Sequence, residues 1–180
     1  MFISAYAELS KEDVMVTIQS EWTNLHVLVL QLPDPPPCVE RAGEWSVKEM
    51  LTHLCWGERW MVGQLGMPVR GLPAMPATLD PADQEQRNAW FSSLDCNRPQ
   101  EELLGELEDT HRALLVRLQR VPETVLNAPF QVNPQVPPPE YSRLEAQWRP
   151  LWPLWRWVMS TTVDRYRQHL LDLEAWAPLA

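Results

Sequence analysis

The chain has 180 residues, of which 45% are hydrophobic and 22% charged, a composition typical of one globular domain with a substantial core. Its net charge of −9 opposes non-specific binding to nucleic acid and to anionic membrane surfaces. We therefore predict a single domain over residues 1–180 that binds neither nucleic acid nor a membrane; the charge is compatible with a small-molecule ligand of either sign.

The sequence also indicates the compartment. No stretch approaches the roughly 18 consecutive apolar residues of a membrane span, and the N-terminus lacks the basic and apolar regions of a signal peptide. The 3 cysteines show no C-x-x-C spacing, which argues against a disulfide framework or a cysteine zinc site. We expect a cytoplasmic protein.

The first predicted helix covers Lys11 to about Leu32, and Pro33 ends it. Apolar residues recur there at spacings of three and four, the helical period: Val14, Ile18, Trp22, Leu25, Val29 and Leu32. His26 lies one position beyond this stripe. We interpret it as a residue at the edge of the core rather than as a ligand.

The segment from Glu44 to Leu65 predicts the helix around which the others are organised. Ser46 and Glu49 have the spacing of a capping box at its start. On a helical wheel, His53 lies in the middle of the inward-facing arc, between an aromatic flank of Trp56 and Trp60 and an aliphatic flank. An imidazole in that position is either a core histidine or part of a site.

Two further helices follow in the prediction. Asp80 and Pro81 are suited to begin a short helix that ends near Ser92. A third long helix covers about Pro99 to Arg120. Its inward seam is formed by Leu104, Leu107, His111, Leu114, Leu118 and Val121. We interpret His111 as a core or pocket-edge histidine, with a role as a substitute metal ligand as the alternative.

Residues 121–149 form a long, proline-rich connection before the last helix. A segment of this length without regular structure is unusual in a compact domain. It could be a lid over a site, a subunit contact or a wrap along the surface, and the wrap is the interpretation we favour.

The last predicted helix begins between Leu151 and Leu154 and runs to about Ala177. Its inward stripe contains Leu151, Trp155, Val158, Thr162, Arg165, His169, Leu173 and Trp176. Trp152 and Trp157 fall outside this stripe, so the start of the helix is aromatic nearly all round. This pattern predicts that the long connection or another subunit covers it.

Two of these helices resemble a known family. The run W-S-V-K-E-x-L-x-H-L that ends at Leu54, followed by W-x-E, is similar to the second helix of the DinB-like (YfiT-like) four-helix-bundle superfamily. Four long amphipathic segments likewise favour an all-α fold, a four-helix bundle with one extra short helix and the proline-rich connection. The resemblance further implies a homodimer and a divalent metal held by three histidines, one on the second helix and two in a His-x-x-x-His on the last.

The last helix departs from that pattern. The family reads His-Tyr-x-x-His, whereas this chain reads Arg165-Tyr166-Arg167-Gln168-His169. The resemblance therefore implies His53 and His169 as candidate ligands of zinc, nickel or manganese, with Arg165 in place of the third histidine. A guanidinium stays protonated, so Arg165 cannot bind a cation and would repel one.

Glu49 and the aromatic flank complete the predicted site. Glu49 lies one turn before His53 and could supply a carboxylate to a metal, pair with Arg165, or only cap its helix. Together, the predicted pocket residues are Glu49, Trp56, Trp60 and Arg165.

Three functional hypotheses follow. The resemblance implies an enzyme that uses a metal to transfer small thiols or to hydrolyse substrates, here with a degenerate metal site. Alternatively, Arg165 holds an anionic ligand or a partner's carboxylate in a protein without metal or catalysis. Finally, the polar residues could be structural, and the protein could act through its surface, for example in a stress response.

Overall fold

The computed structural model describes residues 8–32, 46–66, 97–131 and 152–174, with scattered positions between 76 and 95. The helices in these ranges are α1 (Lys11–Gln31), α2 (Val47–Gln64), α3 (Gln100–Arg120), α4 (Glu123–Leu126), α5 (Leu154–Thr161) and α6 (Val163–Glu174). Apart from an isolated β-bridge between Pro129 and Pro153, none of the described residues forms β-structure. The all-α helical-bundle prediction is confirmed.

The starts of α1 and α2 follow the capping residues of the sequence. The Asp13 N–H donates to Ser10 Oγ at the start of α1. At α2, the Glu49 N–H donates to Ser46 Oγ over 3.2 Å, and the Ser46 N–H donates to Glu49 Oε2 over 2.6 Å. The predicted capping box is therefore present, and it fixes where the helix carrying His53 begins.

The core lies between two tightly packed helix pairs. α2 packs most extensively against α3, and α1 against α6, while α5 and α6 also contact α2. The predicted stripes of α1 and α3 face this core, with Trp22 and Val121 only partly buried at its edge. Their apolar spacing therefore predicted the inward faces correctly.

α2 is buried almost all round. Besides its apolar arc, Lys48, Thr52 and Cys55 on the opposite side of the wheel are at most 7% exposed. A helix enclosed in this way brings side chains on every face into contact with neighbours, so α2 can contribute to more than one polar cluster.

The prediction of one continuous last helix is wrong. Thr162 has φ −121° and ψ −86°, which separates α5 from α6. The hydroxyls of Thr161 and Thr162 both donate to the Val158 carbonyl, over 2.9 and 2.8 Å. Such side-chain bonds compete with the backbone ladder and bend helices. The break also changes the direction of the inward face, so Trp157 is buried at 1% exposure instead of lying outside the stripe.

The start of the long connection packs against Trp152 and Trp157 at the start of α5. The ring centroids of Phe130 and Trp157 lie 5.6 Å apart, and those of Trp152 and Trp157 lie 5.7 Å apart. The Phe130 N–H donates to the Trp152 carbonyl over 2.8 Å. The connection thus begins as a wrap over α5 and contains α4, while positions 132–151 lie outside the described residues.

Two further expectations are only partly observable. Within the predicted short helix at 81–92, positions 86 and 90 are described and both are helical, and the rest lies outside the described residues. The end predicted near Ala177 also falls outside them. In the part of the chain that the structure describes, no helix is both long and apolar enough to cross a bilayer.

Candidate functional site

His53 on α2 and His169 on α6 face each other, as the helical wheels predicted. Their ring centroids lie 5.7 Å apart and the rings meet edge to face at 78°. His169 is buried, and its Nδ1 lies 3.2 Å from Asp172 Oδ2 on the next turn. Because a carboxylate accepts, Nδ1 carries the proton, and Nε2 of the neutral ring is an acceptor.

Arg165 joins this histidine pair by packing against a glycine. A Cβ built on Gly57 would overlap the Arg165 Nη1 atom and would lie 3.4 Å from Cζ. Gly57 lies one turn after His53 on α2. The missing side chain therefore lets the guanidinium approach the α2 backbone beside His53.

The positive charge of Arg165 acts on both imidazoles. Burial lowers the pKa of His53 well below its usual range, and Arg165 and His169 lower it further. Burial also lowers the pKa of His169; Asp172 opposes this effect, whereas Arg165 adds to it. At neutral pH the site therefore consists of two uncharged imidazoles beside one permanent cation.

The other predicted pocket residues have different surroundings. Glu49 is half-buried and its carboxylate accepts the capping hydrogen bond of α2. Trp60 is 1% exposed and packs in the core, with its ring centroid 6.1 Å from that of Trp157. Trp56 is buried beneath Arg59, whose Cζ lies 5.1 Å from the ring centroid. Trp60 therefore packs in the bundle core and does not form a flank of the histidine pair.

These residues do not fit a metal of the kind that the family resemblance implied. A zinc-type site needs about three donors and an open position. His53 and His169 supply two nitrogens, Arg165 supplies a cation, and the Glu49 carboxylate is held by the cap. Nowhere in the described ranges do three His, Cys, Asp or Glu residues lie close enough together to hold an ion.

A second polar cluster, which the sequence patterns did not predict, lies deeper in the bundle. The Glu58 carboxyl is fully buried and accepts a hydrogen bond from the Tyr166 hydroxyl. His111 Nδ1 lies 3.1 Å from the same hydroxyl and 3.4 Å from Glu58 Oε2. His111 thus belongs to this cluster of α2, α3 and α6, as a core histidine, and does not complete the histidine pair.

A signal for this cluster was present in the sequence. Glu58 is the last residue of the W-x-E run, and Tyr166 follows Arg165 in the motif on the last helix. Both belong to the motifs by which the chain resembles the family. A glutamate on the inward side of a buried helix requires a hydrogen-bonding partner. The W-x-E run was therefore a signal for a buried polar cluster at Glu58.

Comparison with known proteins agrees with the fold. Residues 21–153 match the family described as the mycothiol maleylpyruvate isomerase N-terminal domain. No curated protein matches the sequence.

Solved structures of low sequence identity share the architecture. An uncharacterised protein from Escherichia coli UTI89 is 16% identical with a TM-score of 0.65, over 93% of this chain and 92% of that chain. A protein from Streptococcus pneumoniae is 14% identical with a TM-score of 0.66, over 95% and 92%. An uncharacterised protein from Clostridium difficile 630 is 13% identical with a TM-score of 0.66, over 97% and 99%.

At these identities the solved structures support the fold alone, whereas the family match covers well over half of the sequence. The helix order and the motif on α2 are consistent with that match. The chain belongs to the mycothiol maleylpyruvate isomerase N-terminal domain family, within the DinB-like superfamily.

Proposed function

We propose that this protein binds a small carboxylate at His53, Arg165 and His169, with the guanidinium supplying the positive charge that a metal supplies in the family pattern. The observation that carries the proposal is the position of Arg165 over Gly57, beside an imidazole pair whose ring centroids are 5.7 Å apart. A guanidinium pairs with a carboxylate through two parallel hydrogen bonds, which fixes the ligand's orientation as well as its charge.

The histidines define a second requirement of the ligand. The Asp172 carboxylate accepts from His169 Nδ1, so Nε2 of that neutral ring can accept a hydrogen bond from a ligand hydroxyl or thiol. A lowered pKa keeps both rings uncharged at neutral pH. We therefore propose a small 2-hydroxy or 2-mercapto carboxylate as the ligand class.

This function is distinct from metal-dependent thiol transfer. The donor set of His53 and His169 lacks the third ligand that such a metal needs. The cytoplasmic location and the homodimer expected from the sequence remain predictions beside this proposal, as does the single domain over 1–180.

Lactate and propionate form a matched pair of probes because they differ only by the 2-hydroxyl group. We expect calorimetry or NMR titration to show that lactate binds more tightly than propionate, by about tenfold for one additional hydrogen bond. Arg165→Gln should abolish binding of both acids, and Arg165→Lys should retain part of it, because lysine keeps the charge but loses the paired geometry.

The state of the histidines provides an independent readout. Since Arg165 lowers the pKa of both His53 and His169, Arg165→Gln should raise both pKa values when they are followed by NMR. If lactate fails to bind the folded wild type, or if Arg165→Gln binds lactate as tightly as the wild type does, the proposed function is wrong.

A further inference from the structure

A cleft separate from the histidine pair opens between α1 and α3. It has a volume of about 420 Å³, within the usual range for small-molecule pockets. Its walls include Trp22, His26, Glu108, His111, Arg112 and Leu115. One wall is therefore His111, the imidazole of the buried Glu58–Tyr166 cluster.

The Trp22 ring stacks with two imidazoles beside this cleft. Its centroid is 4.4 Å from that of His111 with the rings 15° apart, and 5.5 Å from that of His26 with the rings 27° apart. His26 Nε2 lies 2.6 Å from Glu108 Oε1. A stack of flat rings at the edge of an apolar core offers a surface for another planar group.

Hydrogen bonding determines the tautomer of His111. Burial raises the pKa of Tyr166 well above its usual range, with Glu58 adding to the effect, so the phenol keeps its single proton. That proton is donated to Glu58 Oε1. The Tyr166 oxygen can then only accept from His111, so Nδ1 carries a proton, and in the tautomer with that proton alone Nε2 is an acceptor.

His111 Nε2 has no hydrogen-bond partner among the described residues, although His111 is only 4% exposed. A buried polar atom without a partner costs free energy and requires an explanation. The Trp22 ring covers the imidazole in this conformation. Trp22 is only partly buried, and a ligand that reaches Nε2 has to displace its ring.

The surroundings favour an uncharged ligand. The two charged side chains that border the cleft are already paired, Glu108 with His26 and Arg112 with Asp109. Leu115 and Trp22 supply apolar contact. We propose that the α1–α3 cleft binds a small aromatic hydroxyl compound, whose ring packs against Trp22 and whose hydroxyl donates to His111 Nε2. Glu58 and Tyr166 act as positioning residues that hold His111 in the accepting tautomer.

Phenol and anisole test this proposal because only phenol has a hydroxyl proton to donate. The first measurement uses unmodified protein with ¹⁵N-labelled histidine. We expect NMR to show the Nδ1–H tautomer of His111, and phenol to shift the His111 Nε2 resonance and to bind at least about tenfold more tightly than anisole. An Nε2–H tautomer would overturn the proposal.

Paired variants on α3 locate the binding site. Leu115→Trp fills the cleft, whereas Val116→Trp places the same side chain at an exposed neighbouring position. We expect Leu115→Trp to weaken phenol binding at least about tenfold and Val116→Trp to leave it unchanged. If phenol leaves the His111 resonance unmoved, or if both variants bind it like the wild type, the unpartnered nitrogen contacts only buried water and the proposal is wrong.

Discussion

Two polar clusters share the helices α2 and α6 but differ in charge and burial. The first, His53 with Arg165 and His169, contains a permanent cation on a residue that is only partly buried. The second, Glu58 with His111 and Tyr166, contains a carboxyl group with 0% exposure. Glu58 follows His53 by five residues, which places the two about 140° apart around α2.

This difference indicates which residues affect binding and which affect stability. A partly buried charge can exchange its partner for a ligand, whereas a fully buried carboxyl group depends on the side chains around it. We therefore expect substitutions in the first cluster to alter ligand binding and substitutions of Glu58 to alter the free energy of unfolding.

The largest expected effect is on stability. Glu58→Ala removes the acceptor of the Tyr166 hydroxyl and leaves a cavity, so it should lower the free energy of unfolding by about 3 kcal/mol in urea denaturation. Glu101→Ala, at an exposed position of α3, is the control and should change it by less than about 0.5 kcal/mol. Equal effects of the two variants would remove the distinction between the clusters.

A smaller effect is expected at the glycine beneath Arg165. Gly57→Ala would place a methyl group on the guanidinium and should weaken lactate binding by displacing it. Gly105→Ala is the matched control, because a Cβ there has no heavy atom within 4 Å. Since alanine favours a helix interior over glycine, Gly105→Ala should stabilise the protein by roughly 0.5–1 kcal/mol.

The two glycine variants together separate binding from helix propensity. Gly57→Ala should show less of the stability gain than Gly105→Ala, as measured by thermal unfolding, because the Arg165 side chain has to move. Unchanged lactate affinity in a folded Gly57→Ala protein would show that the guanidinium position is not needed for binding.

The smallest expected effect concerns pH. Because the pKa of His53 is lowered on folding, the unfolded chain takes up its proton first as the pH falls. Stability from this residue is therefore complete above the unfolded pKa of about 6.5 and is lost as the pH falls below it. His53→Gln should reduce the loss of stability between pH 7 and pH 5. The measurement is the difference in the free energy of unfolding between denaturation curves recorded at these two pH values. Parallel curves for wild type and variant would contradict this.

Most of the fold could be predicted from the sequence because local signals determine it. Apolar spacing and the Ser10 and Ser46 caps predicted the first three long helices to within a few residues at their ends. The break at Thr162 was missed, because a helical wheel assumes a continuous helix. The burial of Trp157 was missed for the same reason.

The candidate site was predictable only in part. His53 and His169 could be paired because each lies at the centre of an apolar arc. The cluster of Glu58, His111 and Tyr166 draws one residue from each of three helices, and no spacing along the chain relates them. The packing of Arg165 on Gly57 likewise depends on how α2 and α6 cross.

The central claim is that Arg165 supplies the positive charge of a site whose other members are already in place. Arg165→His restores the family's His-Tyr-x-x-His and removes the charge that repels a cation. Calorimetric titration of wild type and Arg165→His with zinc, nickel and manganese tests the claim directly. We predict tight binding of at least one ion by the variant and none by the wild type. A folded variant that gains no affinity, or a wild type that already binds tightly, would contradict the account.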